Sequence, residues 1–530
     1  MKQYIIGLSL FFLLGTTTSC DEWLDLKPEN EIILEDFWKT KTDVESVLAA
    51  CYKSFSERSV IERMVVWGEL RSDNMIEGRD IPGNSSMYPM HQILEGNLTA
   101  NNSYADWSSF YSIINTCNVL LHYAPGVVEI DENFSRKDLE LVQGEAMTLR
   151  ALAYFYLVRT FRDIPLITDP SIDDTQDYSE PKSPEQDVIA FILEDLESVI
   201  RNNWVRDSYG NTNYNKGRIT KSAVYALLAD VYLWKEEYAS CIKACEKVLE
   251  DKTLRLILDK EQIYSQIFYR GNSPESIFEI QFDENNMRNT AVFDLYCSSD
   301  NNRGFLAFPS ALGRDIQSEY TGAYSPFNYR VQGQYESVND IRSWSFINYE
   351  GGDLFSIFKY GGINAYKTEV NTISYFYRTI TANWIVYRLA DIMLLKAEAL
   401  TQQTGEENWQ EAVSLLNTIY SRSNDDGERL NPTHYTTQKA REELVLRERQ
   451  RELLFEGKRW FDLARMARRE HSVTNLNMFV SVKRQDSPAP LGALVMDALY
   501  MPIAKRELDA NIKLEQNPFY RETNTMIGGK

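Results

Sequence analysis

Hydrophobic positions along most of this chain recur at intervals of three and four residues rather than two, which predicts a mainly helical protein. Val142, Ala146, Leu149, Ala153, Tyr156 and Thr160 line one such stripe. Ser183-Pro184-Glu185-Gln186 reads as a capping box with proline at the first helical position. The helix it opens carries Ile189, Ile192, Leu196 and Val199 on the face expected to pack on its predecessor. Ala223, Ala226 and Ala229 then run through Tyr232 into Tyr238, Cys241, Cys245 and Val248, a helix-turn-helix with small residues at the crossing. Arg388-Leu389-Ala390-Asp391, Ala397 and Ala399, a polar turn, and Trp409, Ala412, Leu415 and Leu416 repeat the plan. Recurrent pairs predict a stacked α-solenoid, with helix pairs over about 138–250 and 384–466.

The spacing within these pairs is similar to that of tetratricopeptide repeats. Two stretches break the period, 73–102 and 270–383. Phe278, Ile280 and Phe282 alternate there as one side of a short strand, while Gly, Asn, Tyr and Ser dominate elsewhere. The density of Trp344, Phe346, Tyr349, Phe355, Phe358 and Tyr360 points to ordered rather than disordered chain. The fold class expected is therefore mainly α: a tetratricopeptide-like α-solenoid with long irregular loop and short-strand insertions. The two irregular stretches are expected to decorate one end of it.

With 530 residues, 43% of them hydrophobic, the chain can bury a large core, which excludes a disordered protein. Its 77 Asp and Glu against 56 Lys and Arg leave a net charge of -21, with no Lys/Arg-rich run, so nucleic acid is excluded as a partner. Lys2 precedes an apolar run from Ile5 to Leu14 that is too short to span a bilayer and reads as an export signal. Small residues then lead to Cys20, the expected lipid attachment site, although Thr17 stands where such signals usually carry an aliphatic residue. The expected division is a signal peptide at 1–19, a lipidated tether at 20–36 and one domain at 37–530. Cys51, Cys117, Cys241, Cys245 and Cys297 remain, an odd number that fits buried thiols better than a disulfide scaffold; no metal or other cofactor is expected.

Several segments, in order along the whole chain, resemble the SusD/RagB family. They begin with Leu24-Asp25-Leu26-Lys27-Pro28 after the cysteine. Gly144-Glu145-Ala146, Leu149-Arg150-Ala151, Asp163-Ile164-Pro165-Leu166 and Gly217-Arg218-Ile219-Thr220-Lys221 follow. The most specific is Glu448-Arg449-Gln450-Arg451-Glu452-Leu453 continuing into Phe455-Glu456-Gly457, Arg459-Trp460-Phe461-Asp462-Leu463 and Arg465; Pro502-Ile503 and Gln516-Asn517-Pro518 close the chain. The chain departs from the pattern at Arg162, usually Gly, and at Tyr420 and Ser423, usually Arg and Ala, positions expected in turns. The resemblance implies four tetratricopeptide-like helix pairs and a lipid-anchored protein on the outer face of the outer membrane. It further implies capture of glycan for a SusC-like TonB-dependent transporter, without chemistry. Peptide or another nutrient in the same role is the alternative ligand.

Two other function classes compete. A glycoside hydrolase needs only two carboxylates at a set separation, and Glu448, Glu452 and Glu456 are expected on one helical face. Arg449, Arg451, Arg459 and Arg465 are expected to neutralise them as a structural network, and no G-x-S-x-G, H-E-x-x-H, phosphate-loop or dinucleotide motif is present. A tetratricopeptide scaffold for a protein partner would bind no glycan. Sugar recognition needs aromatic platforms beside planar polar groups. The irregular stretches supply Asp73, Arg79, Tyr88 and His91 in the first and Tyr296, Arg303, Trp344 and Tyr349 in the second as candidate ligand-binding residues. His91 could also serve as a metal ligand, although packing or hydrogen bonding is the commoner use of a lone His. Trp107 shares a helical face with Phe110, Tyr111 and Ile114 and is assigned to the core.

Overall fold

The computed structural model describes residues 37–79, 81–172, 179–296, 304–309, 327, 330–331, 334–336, 340–349, 354–360, 366–367, 373–374, 381–424, 429–482 and 493–521. The leader, Cys20, the tether and Cys297 lie outside them. Twelve described helices of eight residues or more carry the fold: α1 Lys41–Phe55, α2 Arg58–Val65, α3 Ser108–Val127, α4 Arg136–Phe161, α5 Glu185–Arg201, α6 Lys221–Trp234, α7 Tyr238–Leu249, α8 Leu389–Thr401, α9 Glu406–Ser423, α10 Gln438–Leu453, α11 Arg459–Glu470 and α12 Thr474–Val482. The described fold is mostly helical, as the spacing predicts. None of these helices is long and apolar enough to cross a membrane.

Side-chain oxygens cap several starts: Thr40 and Ser135 form capping boxes with Asp43 and Asp138, and Thr220 and Thr437 accept from the third residue of their helices. Helices then stack in sequence, α3 on α4, α4 on α5, α6 on α7, α7 on α8, and α8 on both α9 and α10. The central helices α4 and α8 are buried nearly all round. Their close approaches fix residue identity, because a Cβ on Gly144 would overlap the Trp204 carbonyl oxygen. Arg150 from α4 grips Asp195 of α5 through two nitrogens, at 2.8 Å for the nearest contact.

Two local expectations are corrected and a third holds. Ser183 does not cap α5: it bridges Ile164 through its backbone, Pro184 is the cap residue, and Asp163 Oδ1 accepts the Glu185 N–H at 3.0 Å. Tyr420 and Ser423 lie within α9, not in a turn; the buried Tyr420 hydroxyl donates to the Glu336 carbonyl. Arg162 does occupy a turn, with φ at 69°, the left-handed region that favours glycine.

The strands are short. β1 Ile76–Glu77, β3 Leu306–Pro309, β7 Leu354–Ile357 and β6 Ile347–Tyr349 form an antiparallel sheet in that order. β2 Ser276–Ile280 pairs with β10 Trp384–Arg388, and β4 Arg330–Val331 with β5 Gln334–Tyr335 and β8 Tyr366–Lys367 with β9 Ile373–Ser374 make small hairpins. The alternation around Phe278 does not mark one wet face, because every residue of β2 is buried and Phe282 lies beyond its end.

Between the solenoid and the 270–383 insertion lies a buried ion network. Glu452 accepts from Arg342, Arg388 and Arg422 at 2.8, 2.7 and 2.6 Å. Arg388 also holds Glu275 and Glu456, Lys359 holds Glu456, and Arg342 holds Asp340 and Glu448. Arg451 joins Glu448 to Glu336, which Arg447 shares. The charged block is thus structural, but its partners differ from those expected. Of the four local arginines only Arg451 meets Glu448, Glu452 or Glu456. Arg449 pairs with Asp391 and Asp462, Arg459 with Asp73, and Arg465 with Glu398 and Asp462. Glu456 also lies past the end of α10, where Phe455 and Gly457 take positive φ.

Removing one member of a buried network strands the others, so Glu452→Ala is expected to lower unfolding free energy by about 3 to 5 kcal/mol in urea titration. Burial pushes Glu336 up, but Arg447 and Arg451 overcome it and hold its carboxyl at about 2; Glu456 and Asp391 are held low likewise by their cations. Depressed carboxylates contribute stability above their unfolded value of about 4.3 and lose it as pH falls towards the folded value. Urea midpoints should therefore fall steeply between about pH 4.5 and 2; a flat profile would refute the network's charged state. At Arg162, whose contacts to Asp163 and Asp497 are both 3.4 Å long and partly exposed, Arg162→Gly should raise stability by about 1 kcal/mol.

Candidate functional site

Downstream of α2 the chain tightens into a π-helical turn, Val66–Leu70, and enters the first irregular stretch. Glu69, fully buried in that turn, accepts from the backbone N–H groups of Gly457 and Lys458 at 3.0 and 3.3 Å and from Asn74 Nδ2 at 3.2 Å. Burial pushes its carboxyl up to about 8 against those hydrogen bonds. A Cβ on Gly68 would overlap Gly457, so the two segments meet backbone to backbone. Arg71 lies over the Trp460 ring at 4.2 Å and donates to the carbonyls of Ala498 and Leu499. Residues 71–74 are therefore fastened to α10 and α11 before the chain reaches the surface.

Asp73 is part of that fastening. Its carboxylate receives Arg459 Nε and Nη2, both at 2.8 Å, and Gln450 Nε2 at 3.1 Å, and it is fully buried. Tyr296 is equally buried: its hydroxyl donates to the Phe455 carbonyl at 3.1 Å and its ring packs near Tyr360 and Phe455. Both residues depart from the expected ligand surface, because their polar groups are spent on protein partners out of reach of solvent.

Three other candidates converge. β1 pairs with β3, Ile76 opposite Ala307 and Glu77 opposite Leu306, and the Gly78 N–H continues the pairing to the Phe305 carbonyl at 2.9 Å. The two irregular stretches thus meet edge to edge. Arg79 follows, exposed, with its guanidinium 4.1 Å over the Phe305 ring. The short helix Tyr88–Leu94 returns beside it and presents Tyr88 and His91 with ring centroids 5.3 Å apart and planes 26° from parallel. His91 Nδ1 is bonded to Glu77 Oε1, and both side chains remain about one third exposed. The face so formed offers a stacked ring pair, a carboxylate and a guanidinium over a further ring. Such a face can stack on an apolar sugar face and exchange hydrogen bonds with hydroxyls.

Glu77 and Phe305 complete this face and were not among the sequence candidates. No local pattern announces them, since they meet only through a strand pairing across more than two hundred residues. Trp344 sits in the single-turn helix Arg342–Ser345, and Tyr349 ends β6 opposite Phe355. β6 and β1 are opposite edges of the four-stranded sheet, their backbones roughly 14 Å apart at the usual interstrand spacing. Arg303 lies outside the described residues. Trp107 is buried, edge-on to Phe161 and Tyr111, as its helical spacing indicates.

Comparison with known proteins finds relatives of the whole chain. The family model described as "SusD family" matches residues 329–520, and that described as "Starch-binding associating with outer membrane" matches residues 22–233. SusD-like protein P38 of Formosa agariphila is 27% identical, across 98% of this chain and 99% of its own. A SusD-like protein of Bacteroides ovatus is 24% identical across 87% of this chain and 82% of its own. The crystal structure of a SusD superfamily protein from Bacteroides vulgatus shares the fold at TM-score 0.70 and 21% identity, covering 91% of this chain and 99% of that one. With both ends of the chain matched by such models and relatives aligned along nearly its whole length, the chain belongs to the SusD/RagB family.

Proposed function

We propose that this protein captures glycan at the cell surface and passes it, uncleaved, to a SusC-like TonB-dependent transporter. Lipid on Cys20 would hold it to the outer membrane after removal of residues 1–19. The observation that carries the reading is the juxtaposition of the Tyr88–His91 ring pair, Glu77, and Arg79 over Phe305 on one partly exposed face. Membership of a family whose matched description includes starch binding and outer-membrane association supports the glycan class and the location. The binding residues proposed are Glu77, Arg79, Tyr88, His91 and Phe305, with Trp344, Tyr349 and Arg303 contributing from the insertion.

A non-catalytic role is supported by the fate of the carboxylates that would otherwise suggest hydrolysis. Glu448, Glu452 and Glu456 are buried and bonded to arginine or lysine, and none presents a free oxygen to a glycosidic bond. A general acid needs access to the leaving-group oxygen and a proton to give.

The test is calorimetric titration of the chain from residue 20 onward, with Cys20 replaced by Ser, against plant, microbial and host glycans, with product analysis of the same samples. Binding without cleavage is expected. Cleavage would overturn the non-catalytic reading, and response only to peptides would overturn the glycan. Tyr88→Ala should weaken binding of the glycan that responds by about 1 to 4 kcal/mol while leaving the melting temperature unchanged. In whole cells, Cys20→Ala should reduce the share of the protein held in the membrane fraction, since the acyl chains proposed to anchor it can no longer be attached.

A further inference from the structure

A cleft of 850 Å³ opens on another part of the molecule, and none of its lining residues comes from 73–102 or 304–309. Its walls are the second half of α1, the short helix Thr212–Gly217, the chain running from Phe278 to Asp283, and Thr381 with Asn383. The π-helical turn Tyr264–Arg270 ends at its rim, where Gly271 and Asn272 take φ of 70° and 49° and swing the chain towards β2.

The floor of the cleft is a chain of amides. Asn272 Nδ2 donates to Gln281 Oε1 at 2.8 Å and Gln281 Nε2 returns a bond to Asn272 Oδ1 at 2.9 Å. Asn383 Nδ2 donates to Gln281 at 3.3 Å and to the buried Glu279 at 2.8 Å, while its Oδ1 accepts from the Phe282 N–H. Asn272 also reaches Asn213 on the facing helix at 3.4 Å. These bonds lock the planes of the amides in place.

Packing accounts for the amides, which stitch the helix Thr212–Gly217 to the strand, but not for the side chains left standing beside them. Tyr214 is 60% exposed; it and Phe519 are the two aromatic rings among the large exposed hydrophobic side chains of the described residues. Arg270 is exposed and makes no ion pair among the described residues, in a protein whose arginines are otherwise largely paired. An exposed ring, a free guanidinium and oriented amides around one concavity are the groups that recognise the flat face and paired hydroxyls of a sugar.

We propose that this cleft is a second oligosaccharide site, with Tyr214 as stacking platform, Arg270 as hydroxyl donor and Asn272 Oδ1, which accepts only from Gln281 Nε2, as hydroxyl acceptor. A polysaccharide long enough to reach both faces is then held at two points. The class of ligand rests on the glycan reading above; the place does not.

Short fragments of starch, xylan, mannan and pectin, and the parent polysaccharides, serve as probes against the chain from residue 20 onward with Cys20 replaced by Ser. Titration of the fragment that binds best should give two molecules per chain, and one in Tyr214→Ala and in Arg270→Ala. Both variants should weaken retention by the parent polysaccharide about tenfold through lost bivalency. Tyr88→Ala should leave the cleft occupied. Both substitutions are at exposed positions, so unchanged melting temperatures are expected and separate binding from folding. A fragment bound once, with stoichiometry and affinity untouched in both cleft variants, overturns this site and leaves the glycan reading standing. No binding of any fragment or polysaccharide overturns the glycan reading, and this site with it.

Discussion

Glu452 sits where a carboxylate is costly, without access to water, and three arginines from three parts of the chain make it tolerable. Arg342 comes from the insertion, Arg388 from the end of β10 and Arg422 from α9. Each is fixed in turn by another acid, so six carboxylates face six cations across the join between solenoid and insertion. An apolar interface could hold the two parts as firmly. A shift of the insertion, however, would leave buried charge uncompensated, a penalty that an apolar interface does not impose. We read the network as the device that gives the insertion one place to dock.

That docking is transmitted to the surface by a short physical chain. The helix carrying Glu448 and Glu452 ends in the positive-φ turn at Phe455 and Gly457, and Glu69 grips that turn through two backbone N–H groups. Arg459, two residues further on, holds Asp73, and four residues after Asp73 the strand β1 reaches across to β3 of the insertion. The Tyr88–His91 face is therefore assembled from segments each tied to the same core, which limits what a ligand must order on arrival.

Helices were legible because burial imprints a period on sequence: the stripes through Val142, Ile189, Ala223 and Ala397 each lie in a helix, and the pairs stack as their small residues suggest. What failed were inferences about partners. Ser183 had the residue types of a capping box, but Asp163, brought close by the Ile164 bridge, took the role. The arginines beside Glu452 in sequence point elsewhere, and its true partners lie 30 to 110 residues away. Of the ligand candidates, Arg79, Tyr88 and His91 came together, whereas Asp73 and Tyr296 have the same side-chain chemistry and were claimed by the core. Residue type in an irregular segment identifies what a side chain could do; only the tertiary pairing decides whether it is left free to do it.

The neutrality of the buried network has a consequence for recognition. Because its acids and bases cancel, the net charge of -21 resides in the rest of the chain. That charge would repel an anionic ligand at long range and exerts no net pull on a neutral one. On the proposed glycan reading, selection would occur at contact, within a Debye length of about 8 Å, by stacking and by hydrogen bonds of fixed geometry. Against that background an exposed guanidinium beside a ring is a local exception to the charge pattern. Arg79 over Phe305 and Arg270 beside the same cleft as Tyr214 are two such places: among the described residues neither guanidinium pairs with a carboxylate, so on the proposed reading both would be open to a polyhydroxylated ligand.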